Sequence, residues 1–298
     1  MKKELISVII PTFNRVQFLK IAINSVLNQT YSFFELIIID DCSTDKTKDF
    51  VLSLKDTRIK YYRNESNFYV SESRNLGIKK SSGSIITFLD DDDEMFLNKL
   101  TEIINAFNLN KDINFVYHRA KIIMLNENTS YYTSPLNSVS HKKLTIKNCI
   151  GGTPTVSIKK ELLSCFFDKN LKALEDYELW LNLSKKDYFN PYYLNKCLVK
   201  CNYKTNKASV SKNIDNLLDA LAFIRKKHFN SFSKLSSKQL KQNKEWVNSL
   251  IAHKYLLNYN KMSSFYYLKS FYYSLKIKYL LISFLSLCSF RLIFKLKK

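Results

Sequence analysis

The apolar positions fall first into a short dense run, Leu5-Ile6-Ser7-Val8-Ile9-Ile10, closed by Pro11. A run so short and β-branched predicts a strand buried on both faces. Val16, Leu19, Ala22, Ile23, Val26 and Leu27 then recur at helical spacing. Residues 34–39 form the next strand-like run and end at Asp40-Asp41. Ser43 and Thr44 are candidate N-caps for a helix bearing Phe50, Val51 and Leu54. Residues 59–62 predict a third strand, 71–80 a helix and 84–89 a fourth strand. That strand runs into Asp90-Asp91-Asp92-Asp93, ahead of a helix expected over 95–107.

Strand–helix alternation of this kind implies βαβ units: an α/β fold with a mainly parallel sheet and helices on both faces. Ligands of such sheets bind beyond the carboxyl ends of the strands. The chemistry-bearing residues fall there: Pro11 to Asn14, Asp40 and Asp41, Asn67, and Asp90 to Asp93. Residues 126–203 mix strands and helices less regularly, and 213–229, 236–260 and 263–296 read as helical, with Ser236 a cap. We expect a boundary near 205–212, dividing an α/β domain (1–208) from a helical tail (209–298).

Composition narrows the classes. The chain has 298 residues and a formal charge of +21, with only four Gly and four Pro. No G-x-G-x-x-G turn or P-loop occurs, so phosphate must be held another way. Six cysteines match no zinc spacing, and the N-terminal apolar run is too short for a signal peptide. A reducing, cytosolic compartment is the expectation. His118 and His141 read as structural.

The charge is lopsided: residues 204–298 carry +16 and the first 203 carry +5. A basic, aromatic end suits an anionic membrane or nucleic acid. Residues 279–290 form an uncharged run of 12, well short of the about 20 that span a bilayer. The tail therefore suits a membrane surface, or packing on the α/β domain or on a second copy in a homodimer. A nucleic-acid partner is not expected, because Asp90 to Asp93 would repel phosphates.

Four adjacent carboxylates repel one another and call for a positive partner. One reading is a divalent cation held by Asp90 and Asp92, since Mg²⁺ takes one or two carboxylates plus substrate phosphates. The other is a set of acids opening the helix at 95–107. A second acidic spot, Glu175-Asp176, precedes Tyr177, Trp180 and Leu181 at helical spacing. It either completes a helix dipole or supplies a general base.

These segments resemble family 2 glycosyltransferases of the GT-A fold. The resemblance rests on Ser7-Val8-Ile9-Ile10-Pro11-Thr12-Phe13-Asn14-Arg15, Ile39-Asp40-Asp41, Ser73-Arg74-Asn75-Leu76-Gly77, Leu89-Asp90-Asp91-Asp92-Asp93 and Glu175-Asp176, in that order. It implies a Rossmann-like catalytic domain and a nucleotide-sugar donor, a UDP-sugar first of all, bound across the sheet rim. Pro11, Thr12, Phe13 and Asn14 would line the donor site, with Asp41 accepting a hydrogen bond from the base. Asn67 and Arg74 would meet ribose or phosphate. Asp90 and Asp92 would be the D-x-D pair holding Mn²⁺ or Mg²⁺, with Asp91 beside them, and Asp176 would be the catalytic base. Transfer would invert the anomeric centre and place one sugar on a glycan or lipid-linked acceptor, at the inner face of the cytoplasmic membrane.

The family's Tyr-Arg-x-His segment is replaced by Tyr203-Lys204-Thr205-Asn206. Lys204 would then hold phosphate as a point charge. Q-x-x-R-W, which marks the processive synthases, is absent from the sequence. A nucleotidyltransferase of related fold would want a glycine-rich loop where Pro11-Thr12-Phe13-Asn14 stands.

Overall fold

Strands and helices alternate through the first third of the chain: β1 (Ile6–Thr12), α1 (Val16–Leu27), β2 (Phe34–Asp40), α2 (Thr47–Ser53), β3 (Ile59–Arg63), α3 (Tyr69–Lys80) and β4 (Ile85–Phe88). The computed structural model describes residues 3–164, 166–205 and 213–295. Next come β5 (Glu94–Met95), α4 (Lys99–Leu109), β6 (Phe115–Met124), β7 (Thr129–Tyr132), α5 (His141–Ile146), β8 (Val156–Lys159), α6 (Glu175–Leu183) and β9 (Pro191–Tyr203). The tail is helical: α7 (Ile214–Lys227), α8 (Phe229–Ser233), α9 (Ser237–Leu257), α10 (Met262–Ser274), α11 (Ile277–Cys288) and α12 (Phe290–Lys295).

The strands join one sheet in the order β3-β2-β1-β4-β8-β6-β9-β5, with β7 paired to β6. The first four are parallel, while β8 runs antiparallel to both β4 and β6. The sheet is thus parallel on one side and mixed on the other. Every residue of β1 and β2 is buried, as their unbroken apolar runs require. Pro11 lies inside β1 and does not disrupt it, because the ladder to β4 has already ended at Ile9↔Phe88.

Alternate side chains of β1 feed two cores. Val8 and Ile10 join α1, α4 and the tail residues Leu256 and Phe294 on one face. Ile9 joins Ile78, Trp180, Ile224 and Phe232 on the other. The tail extends both cores. The expected boundary at 208/209 lies outside the described residues.

Three local expectations are corrected. Ser43 and Thr44 do not cap α2, which begins at Thr47; Asp45 Oδ1 accepts from Thr47 N at 3.0 Å instead. The helix expected at 95–107 begins at Lys99, because Glu94 and Met95 extend to pair with Lys200 and Val199 of β9. The acids at 90–93 therefore do not open a helix. The helix expected at 263–296 is broken at Leu275, which has φ 55°, and at extended Ser289. Ser236 caps α9 as expected, in a capping box with Gln239.

Candidate active site

The carboxyl ends of β1, β2 and β4 converge at one rim of the sheet, and their loops are tied together there. Asp41 N donates to Thr12 O at 2.8 Å, which sets Asp41 beside Pro11 and Thr12. Asp41 Oδ1 accepts from Asn64 Nδ2 at 2.7 Å and from Phe68 N at 3.0 Å. Phe13 (41 % exposed), Phe68 (49 %) and Tyr69 (48 %) leave flat apolar surface open on the loops of this rim. Asn14 is a latch: its Oδ1 accepts from Thr44 N at 2.7 Å and from Asp45 N at 3.2 Å, while its own N–H donates to Ser43 Oγ at 2.9 Å. Asn67 Oδ1 accepts from Tyr69 N at 3.2 Å in a turn that enters α3. Asn14 and Asn67 thus bond within the loops that frame the rim, away from the acids.

The acidic turn is held from both sides by guanidinium groups. Thr12 Oγ1 donates to Asp91 Oδ2 at 2.8 Å. Arg15 Nη1 reaches Asp91 Oδ1 at 3.2 Å and Asp92 Oδ2 at 2.8 Å. Buried Arg74, on α3, donates Nη2 to Asp90 Oδ1 at 2.7 Å and Nη1 to Glu175 Oε1 at 2.8 Å. One guanidinium therefore joins the strand-end acids to the first residue of α6. Asn202 on β9 closes the turn, donating Nδ2 to Asp92 O at 2.7 Å and its N–H to Asp93 Oδ1 at 3.0 Å.

Sequence reasoning did not single out Arg15, Glu175 or Asn202 as site residues. Arg15 and Glu175 lay within the quoted motifs, and the need of four carboxylates for a positive partner was the available signal. Asn202 had none, because a β9 pairing across more than a hundred residues leaves no trace in local pattern.

Asp176 sits at the start of α6, after Leu174, whose φ of 57° is a strained left-handed turn. Asp176 Oδ1 accepts from Tyr177 N at 2.6 Å. Its other oxygen faces the Gly151-Gly152 bend, where a Cβ at Gly152 would stand 3.5 Å from Oδ2. Gly151 has φ +127°, open to glycine, and its carbonyl accepts a hydrogen bond from Trp180 Nε1 at 3.0 Å. A concavity of about 200 Å³, lined in part by Pro135, Leu136, Lys147, Cys149 and Gly151, opens at this bend.

Burial sets the proton affinities. It pushes Asp176 up to about 7, and the charge of Glu175 adds to it while Tyr177 N–H and Arg74 oppose it. Burial also raises Asp91 to about 6 against the pull of Arg15, and it raises Asp92, with Asp90 adding repulsion. Burial disfavours the charge of Arg74, but Asp90 and Glu175 outweigh it and hold the guanidinium charged. Beneath the turn, burial lowers Lys99 to about 7; its Nζ donates to Pro154 O at 2.7 Å.

His118 and His141 are built into the frame. His118 is wholly buried, with Nδ1 2.9 Å from Arg119 O. His141 bridges Ser184 Oγ at 2.9 Å and Ser231 Oγ at 2.8 Å. Lys204 lies over the Phe18 ring, 5.1 Å from its centroid. Asn206 and Cys165 lie outside the described residues.

The chemistry of the donors suits a hard cation. Asp90 gives Oδ1 to Arg74 and Asp92 gives Oδ2 to Arg15, so each keeps one oxygen outside these pairs. Among the described residues no group of three or more His, Cys, Asp or Glu side chains is placed to hold a metal ion by itself. Two carboxylates open to a phosphate ligand match the way Mg²⁺ is bound with substrate.

Comparison with known proteins gives the family and the fold. The sequence profile of Glycosyl transferase family 2 matches residues 7–167. An uncharacterized glycosyltransferase of Haemophilus influenzae is 32 % identical over 298 residues, covering 99 % of each chain. The Escherichia coli UDP-Glc:alpha-D-GlcNAc-diphosphoundecaprenol beta-1,3-glucosyltransferase WfgD is 35 % identical over 213 residues, 72 % of this chain and 82 % of that one. In structure, S. aureus TarS 1–349 superimposes with a TM-score of 0.61 at 17 % identity, covering 91 % of this chain and 92 % of that one. The same protein has been crystallised with UDP-GlcNAc, and that structure superimposes with a TM-score of 0.57 at 19 % identity, covering 90 % of this chain and 91 % of that one.

Proposed function

The chain belongs to glycosyl transferase family 2, and from that premise we propose that it moves one sugar, with inversion, from a UDP-sugar to a hydroxyl of a lipid-linked glycan during surface polysaccharide assembly. The observation that carries this reading is the Arg74 bridge, which joins Asp90 on the donor side to Glu175, the neighbour of Asp176. An enzyme of this type needs those two regions within one bond-forming distance of a shared substrate.

In this reading Pro11, Thr12 and Phe13 flank the nucleotide base and Asp41 accepts its N–H, with Asn14 holding the loop. Asn67 and Arg74 stand toward ribose and phosphate, beside Asp91. Asp90 and Asp92 would hold Mn²⁺ or Mg²⁺, which when bound supplies positive charge to the leaving diphosphate. Asp176 takes the acceptor hydroxyl's proton as the oxygen attacks the anomeric carbon from the face opposite the leaving group. A carboxylate poised near pH 7 by burial is matched to that task. No covalent glycosyl-enzyme is required.

WfgD, by its name, uses a diphosphoundecaprenol-linked acceptor and a UDP-Glc donor. A relative of Bacillus subtilis, TuaG, 32 % identical over 70 % of this chain, is named for putative teichuronic acid biosynthesis. The name of WfgD supports a lipid-linked acceptor and that of TuaG a role in surface polysaccharide assembly; on this reading the protein works at the inner face of the cytoplasmic membrane. Residues 1–208 would be the catalytic domain, and 209–298 the tail that braces it.

A donor-hydrolysis screen tests the reading. Nucleotide sugars are incubated with the protein and Mn²⁺, and nucleoside diphosphate release is measured. UDP release from at least one UDP-sugar is expected. Silence across all UDP-sugars, with release from another nucleotide class, would overturn the donor assignment.

A further inference from the structure

Helices α10 and α11 place serines and stacked Tyr267 and Tyr279 between them, with Phe271, Ile282 and Leu285 packed on the core, and still turn a broad apolar face outward. On α11 the buried positions are Tyr279, Ser283 and Ser286, while Ile277, Leu280, Leu281, Phe284 and Leu287 are exposed. The exposed positions recur at helical spacing and form one face. On α10 the buried side carries Ser263, Ser264, Tyr267 and Ser270, and Met262, Phe265, Leu268 and Tyr272 face out. The two inner faces meet through serines: Ser264 Oγ and Ser283 Oγ are 2.8 Å apart, and Ser283 Oγ donates to Ser264 O at 3.0 Å.

A water-soluble hairpin turns a polar face outward. Small polar residues between helices, with apolar side chains outside, are the arrangement of helices packed in lipid. Neither helix can cross a bilayer: α11 has 12 residues, roughly 18 Å at 1.5 Å per residue, against about 30 Å of hydrocarbon. Among the described residues no helix is long and apolar enough to span a membrane.

Charge selects the occupant of this face. No Asp or Glu follows Glu245 in the sequence, and Lys261, Lys269, Lys276 and Lys278 lie on or beside the hairpin. Glu245 itself is taken up by Lys276 Nζ at 2.6 Å and the Tyr279 hydroxyl at 3.0 Å. Lys269 Nζ lies over the Phe265 ring at 4.4 Å, its stem along the apolar face. A second copy docked face to face would bring lysine against lysine with no acid between them. Anionic lipid headgroups complement that rim, and acyl chains complement the apolar centre.

We propose that the outward face of the α10–α11 hairpin inserts into the surface of an anionic bilayer, as a monotopic anchor. This deepens the membrane location proposed above. Its test reads lipid contact directly, so it fails or stands apart from sugar transfer.

The probe is the full chain with Phe284→Trp, mixed with vesicles of phosphatidylcholine alone or with added phosphatidylglycerol. A blue-shifted emission and flotation with phosphatidylglycerol vesicles are expected, with binding at least about tenfold weaker on phosphatidylcholine alone. Leu281→Glu with Phe284→Glu, both at exposed positions, should abolish flotation while UDP release in solution is unchanged. Flotation without a spectral shift would mean electrostatic contact only and would overturn insertion. So would a vesicle-independent dimer, seen by light scattering, that the double variant splits into monomers. Vesicle binding by a protein that releases no UDP would leave the anchor standing and overturn the donor reading.

Discussion

Asp176 is the residue where chemistry and stability pull in opposite directions. Its ordinary value of 3.8 is raised to about 7 by burial and by Glu175. Between those values the folded chain keeps a proton that the unfolded chain has lost. The associated stability is therefore fully present below the ordinary value and is lost as pH rises through about 7. Under the proposed base role transfer follows the reverse course, because a protonated carboxyl cannot take the acceptor's proton. Turnover should fall as pH drops below about 7. Asp176→Asn should reduce transfer by roughly 10²–10⁴ and leave donor binding intact. At pH 8 the same variant should melt higher, by about 2–4 °C for each kcal/mol recovered. Thermal scans at pH 6 and pH 8 and a single-turnover assay check both halves; wild-type turnover in the variant would remove the base assignment.

Helix α3 shows how an element aims a residue. Gly77 faces β1, and a Cβ there would stand 2.4 Å from Ile9 Cγ2, in a core with no spare volume. The glycine lets α3 lie close enough for Arg74, one turn earlier, to reach Asp90 and Glu175 together. In an ordinary helix interior Gly→Ala stabilises by up to about 1 kcal/mol. Here overpacking costs about 1–3 kcal/mol, so Gly77→Ala should lower the urea midpoint with the slope unchanged. A raised midpoint would show that the contact relaxes freely. Such elements were legible in the sequence because their signals are local: β1 and β2 as unbroken apolar runs, α1 as a 3.6 period, Ser236 as a cap. The start of α4 was not legible, because Glu94 and Met95 are drawn into strand by β9, a partner far along the chain. Ser43 and Thr44 looked like caps for the same reason in reverse: Asn14, far back along the chain, donates its N–H to Ser43 Oγ and accepts from Thr44 N.

Across the whole molecule, the tail serves the catalytic body and also carries a face of its own. Leu256, Tyr267, Ile293 and Phe294 enter the core of one sheet face, and Ile224 and Phe232 the other. Removing the tail would uncover both cores, so point substitutions on its exposed face are the informative variants. The charge asymmetry and the short uncharged run pointed to a surface role, but which side of each helix faces out depends on packing that periodicity alone does not give. The acids at a rim were legible; Arg15 was not, and Arg74 was expected at ribose or phosphate rather than on Asp90 and Glu175, since charge pairing across helices is set by the fold. The central claim is that Asp90 and Asp92 grip the donor's diphosphate through a divalent cation. Calorimetric titration of UDP into wild type and Asp92→Ala, with and without Mn²⁺, tests it most directly. The account predicts that Mn²⁺ tightens UDP binding to the wild type by about tenfold or more, and leaves the variant unmoved. Equal tightening in both proteins would contradict it.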